Sequence, residues 1–162
     1  MHPQSAPDRR DTVMTYRQML EKVRYEGAYP TRERAEEAVQ AVLAALGRQL
    51  TGDERVELAA RLPLEAAMTF TAQIPQFEPL TGWGFVKDLA ARTGGSPATC
   101  RWDTGAVLTT VAALAGRDLL DRILAHLPSG YAPLFGRPEI PRPVERAERP
   151  AADTRTAVPQ AA

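Results

Sequence analysis

Shifted by 65 residues, the chain overlays on itself. Ala41, Val42 and Leu43 fall on Ala106, Val107 and Leu108, Asp53 falls on Asp118, and Ala60 on Ala125. Leu62-Pro63 falls on Leu127-Pro128, and Phe70 on Phe135. The stretch Met19 to Val23 matches Phe85 to Leu89 after a one-residue slip. Self-similarity at a fixed period means one helical unit used twice, with each copy burying its apolar face against the other. The halves run over residues 15–72 and 81–136, and the segment between them, 73–80, reads as a linker with Pro75 and Pro79.

Each half predicts about four short helices. Tyr16, Met19, Leu20 and Val23 recur at helical spacing, and Gly27 and Pro30 end that run. Thr31 is placed to cap a long second helix with Glu33, Glu36 and Glu37 in its early turns. Its apolar stripe runs from Ala35 through Val39, Val42, Leu43 and Leu46 to Leu50. Thr51 and Glu54 have the spacing of a reciprocal cap for a third helix, and Pro63 opens a fourth. In the second half Gly94-Gly95 ends the first helix and Ser96-Pro97 starts the next. Val107, Leu108, Val111 and Leu114 line that second helix. Leu119, Leu120, Ile123, Leu124 and Leu127 line the third, while Gly130 and Pro133 shorten the last. No alternating pattern is long enough for a strand. The expected fold is all-α: two tandem pseudo-equivalent helical repeats packed into one compact domain spanning 15–136.

The ends have a different character. Residues 1–14 are polar and read as a flexible tail, and 137–162 as a disordered Pro/Arg/Ala-rich tail holding five of the fourteen prolines. The C-terminal segment cannot bury enough surface to offset its ordering entropy.

Charge narrows the function. Twenty basic side chains balance twenty acidic ones, so nothing marks a dedicated nucleic-acid or anionic-membrane binder. Eighteen of the basic residues are Arg and Asn is absent, a bias that codon economy in a GC-rich genome accounts for. One cysteine excludes an internal disulfide, and two histidines leave little for a metal cage. With no secretory signal and no membrane-length apolar run, the expected location is cytoplasmic.

The ordered series resembles the bacterial domain-of-unknown-function family 2267. Its elements here are Met19-Leu20-Glu21-Lys22-Val23, then Ala41 to Leu46, Asp53-Glu54, Leu62-Pro63 and Phe70. They recur as Phe85 to Leu89, Ala106-Val107-Leu108, Asp118, Leu127-Pro128 and Leu134-Phe135. The resemblance covers about 15–136 and implies a helical fold without supplying catalytic residues. The Ala/Thr-rich stretch 64–72 departs from the acidic, Leu-rich helix usual there. The opening helix pair of each half also looks like that of HU-type nucleoid proteins, but no basic arm follows.

No constellation reads as a catalytic, cofactor or metal site. Glu33, Glu36 and Glu37 lack the Glu-x-x-His partner of a bundle metal site and fit a solvated helix start. His2 lies in the tail, and His126 takes the place of Arg61 as an exposed residue near a helix C-terminus. Cys100 is read as a small buried filler. Thr81-Gly82-Trp83-Gly84 and Gly94-Gly95-Ser96 match no phosphate or dinucleotide fingerprint. Trp83 is expected to cover the seam between halves with its indole N–H on a partner, and Trp102 is the other candidate for an exposed patch. The C-terminal arginines 137, 142, 146 and 149, set among prolines, read as a solvated linker or a docking segment. The expected function is a non-catalytic protein-interaction or scaffold module with an unknown protein partner, without cofactor, metal or membrane. The alternative is a nucleoid-associated or DNA-binding protein using Arg on a helix face.

Overall fold

A computed structural model describes residues 14–139; the expectations for 1–13 and 140–162 lie outside the described residues. Among the described residues eight helices follow one another: α1 (Tyr16–Glu26), α2 (Arg32–Gly47), α3 (Gly52–Arg61), α4 (Leu64–Thr71), α5 (Gly82–Thr93), α6 (Pro97–Ala115), α7 (Arg117–His126) and α8 (Tyr131–Leu134). None of the described residues is in a strand, so the described part of the chain is all-α. The starts of α2 and α6, and both ends of α3 and α7, lie 65 residues apart.

Several boundaries follow from local chemistry. Thr15 caps α1 reciprocally with Gln18, and the Thr31 and Ser96 hydroxyls accept from the Arg34 and Thr99 amides. Each such cap satisfies an amide that the helix leaves orphaned, for about 1 kcal/mol. Gly94 ends α5 in the left-handed conformation, which costs glycine little. Gly27 caps α1 with ordinary helical angles, and Ala28 takes the positive φ instead. What glycine supplies at 27 is space: a Cβ there would collide with the Tyr29 ring.

The core lies where the long helices cross. α6 packs on α1, α2, α5, α7 and α8, which explains why it buries Cys100, Thr104, Val107, Leu108, Thr110 and Val111 around much of its circumference. α2 packs on α1, α4, α5 and α6. Met19, Val23, Val39, Val42, Leu43, Leu46, Phe70, Phe85, Val107, Leu108 and Ile123 are sealed from solvent. A fully buried side chain of this kind contributes roughly 1.5–3 kcal/mol.

Two expectations change here. The Thr51–Glu54 cap does not form: Thr51 makes no side-chain capping bond. Glu54 turns instead toward α7, where its carboxylate lies 3.4 Å from His126 Nε2 and 3.9 Å from Arg122. A cationic neighbour across the helix pair outcompetes the local amide. The 73–80 segment is also more than a spacer: Gln76 N–H donates to the Arg48 carbonyl (2.7 Å), and Gln49 accepts from the Leu80 amide (2.9 Å).

At the other end, the helical body does not stop at Gly136. Arg137 pairs with Asp121, and Glu139 accepts from the Gly130 amide at 3.1 Å.

Candidate cleft at the seam

The turn after α1 meets the first turns of α6, and the side chains there hold one another. Tyr29 Oη donates to Asp103 Oδ1 at 2.5 Å. Arg34 Nη2 donates to the other carboxylate oxygen at 3.0 Å, and its guanidinium lies over the Tyr29 ring, 5.0 Å from the centroid. Trp102 Nε1 donates to the Gly27 carbonyl at 2.8 Å. These bonds tie residues 69 to 75 positions apart in the chain.

They also frame an open cleft of about 510 Å³, with Tyr29, Pro30, Arg34, Trp102 and Asp103 on its walls. A smaller adjoining hollow of about 280 Å³ shares Arg34, Thr99 and Asp103 and adds Glu37, Val42, Leu89 and Cys100. Trp102 keeps 58% of its surface in solvent although its N–H is bound, so its orientation is set in advance. Burial, then the Asp103 hydrogen bond and charge, push the Tyr29 phenol well above its ordinary range. The bond to Asp103 likewise raises Arg34, whose positive charge is thereby held more firmly. At neutral pH the cleft therefore presents a neutral phenol, a fixed ion pair and an indole face.

Other singled-out residues fall elsewhere. Trp83 is 59% exposed on α5 and does not cover the seam. Its neighbour Gly82 makes a contact within the second half: its amide donates to the Ser129 carbonyl (2.9 Å), and a Cβ there would strike Gly130. The next residue is turned about 100° away, toward solvent. Cys100 is buried in the core, with Thr93 Oγ1 3.7 Å from its sulfur. Glu36 lies beside Tyr16, whose phenol is pushed up to about 12, first by burial and then by Glu36. His126 sits at the end of α7 beside Glu54, while Arg61 binds the Ala115 carbonyl. Arg122 holds Glu57 through two 2.6 Å bonds, fastening α7 to α3. Among the described residues no three His, Cys, Asp or Glu side chains group as metal ligands, and no helix is long and apolar enough to cross a membrane.

Sequence reading missed the Tyr29–Arg34–Asp103 set because its members come from different halves. A signal was present: Asp103 is the one acid in the sequence of α6.

An all-helical protein, with a preset aromatic cleft where its two long helices begin, is the class these features define. The family model described as "Uncharacterized conserved protein (DUF2267)" matches residues 16–134. The chain belongs to that family. No curated protein matches it.

Proposed function

We propose that this chain is a non-catalytic, cytoplasmic protein-interaction module and that the Trp102 cleft receives its partner. The observation that carries this reading is the half-exposed Trp102, fixed by its bond to Gly27. Binding energy concentrates in preset aromatic anchors because they bury much area at small entropic cost. A catalytic reading has less support, since Tyr29, Arg34 and Asp103 bond to one another rather than converge on a free reacting position. The nucleic-acid alternative has less support too: Arg24, Arg32, Arg34, Arg92, Arg122 and Arg137 are each paired with a carboxylate.

The test is affinity purification of the intact chain from its own cells beside Trp102→Ala and Trp83→Ala. Partner recovery should collapse for Trp102→Ala and persist for Trp83→Ala. Equal recovery from all three would remove the cleft from the function.

A further inference from the structure

The segment between the halves carries a fixed aromatic knob. Its sequence, residues 73–80, holds Ile74, Pro75, Phe77 and Pro79, with Glu78 as the one charge. The backbone is pinned on both sides of Phe77. The Gln73 carbonyl accepts from Arg55 (2.7 Å), and the Gln76 amide donates to the Arg48 carbonyl (2.7 Å). The Leu80 amide donates to Gln49 Oε1, and the Leu80 carbonyl accepts from the Tyr131 hydroxyl, both at 2.9 Å. Phe77 is nevertheless fully exposed, and Ile74 largely so. A large apolar side chain held out by an ordered loop pays little further entropy when it docks. Trp102 has the same property, fixed by its bond to Gly27.

The knob cannot serve the cleft of its own chain. Pro30 and Arg34 line the cleft at the start of α2, whereas the knob is tied to Arg48 and Gln49, just past the end of α2. The 16 residues of α2 set the two ~24 Å apart. Both are pinned, so only another molecule brings knob and cleft together.

Their chemistries match. Trp102, Tyr29 and Pro30 offer ring surfaces to a phenyl group, and a cleft of about 510 Å³ has room for it and a flanking proline. Charge is complementary as well: Glu78 follows Phe77 directly, and Arg34 stands on the cleft wall. Asp103 takes one N–H of a guanidinium that carries five. One arginine already lies between two carboxylates in this molecule, Arg122 beside Glu54 and Glu57.

We propose that the occupant of the cleft is a second copy of this chain, whose Phe77 enters beside Trp102 while Glu78 pairs with Arg34. This rests on the reading of the cleft as a polypeptide-binding site. Each molecule carries one knob and one cleft, so either can be removed without the other.

The test is sedimentation of the full chain from ~10 µM to ~1 mM, the range that covers weak transient contacts. The average mass of the wild type should rise above that of a monomer. Phe77→Ser, which keeps its cleft, and Trp102→Ser, which keeps its knob, should each stay monomeric. Mixed in equal amounts, the two variants should form a 1:1 pair. Circular dichroism equal to wild type establishes that both are folded before mixing. Glu78→Gln should weaken association severalfold. A monomeric wild type, a mixture that stays monomeric, or association that survives Phe77→Ser overturns the proposal. If the wild type is monomeric while Trp102→Ala still loses a different protein from cells, the second copy fails and the interaction reading stands. If Trp102→Ser associates as the wild type does, the cleft is not the receiver and both fail.

Discussion

The two halves solve one closure problem in opposite ways. In the first, Arg55 of α3 donates to the Gly47, Leu50 and Gln73 carbonyls and stacks over the Phe70 ring, 5.1 Å from its centroid. The residue 65 positions on is Leu120, buried in α7. One helix gathers loose carbonyls with a cation; the other seals the joint with hydrocarbon. The partners differ accordingly. α4 runs for eight residues and lies so close over α2 that a Cβ on Gly47 would collide with the Phe70 carbonyl oxygen. The matching position in α6 is the half-buried Ala112, and α8 runs for four residues only. A shared apolar pattern therefore fixes where helices begin, while single polar or small residues decide how closely the next one lies.

Substitutions can break this contrast. Leu120→Ala should cost most, about 2–5 kcal/mol in denaturant unfolding, because it leaves a cavity where the first half has none to leave. Gly47→Ala should cost about 2–3 kcal/mol through overpacking, against about 1 kcal/mol for Ala112→Gly from helix propensity alone. If Gly47→Ala is neutral, the close approach of α4 is not what limits that site. Arg55→Met should cost about 1–2 kcal/mol by orphaning carbonyls, with the loss greatest in the amide-exchange protection of α4.

The smallest effect is Glu57→Gln, and it depends on pH. Hydrogen bonds from Arg122 hold the Glu57 carboxyl below its ordinary value of 4.5. A depressed folded-state pKa stabilises above the unfolded value and loses that contribution as pH falls through the folded one. Thermal melts of wild type and variant should thus differ slightly at neutral pH and converge in acid below 4.5. A gap that widens in acid would contradict the assigned pairing.

Much of this architecture was legible in the sequence. The apolar stripes of α2 and α6, the caps at Thr31 and Ser96 and the stop at Gly94 depend on neighbours within one or two turns, so a linear reading finds them. The cleft did not show itself that way. Tyr29, Arg34, Trp102 and Asp103 acquire meaning from contacts between halves, and helical periodicity carries no information about those. The same blindness gave Glu54 a local cap when its partners stand on α7. It also assigned the seam to Trp83, which is largely exposed, whereas Trp102 supplies the indole bonded across it. The family match extends the helical body's pedigree over 16–134 and leaves its chemistry to the side chains.

The Glu57–Arg122 clasp has one more implication. Its members stand 65 positions apart, the shift at which the sequence overlays on itself. Two identical subunits meeting at that spot would set like charge against like charge. Joining the halves in one polypeptide lifts that constraint: the two faces can diverge, and opposite charges can meet where symmetry would forbid them.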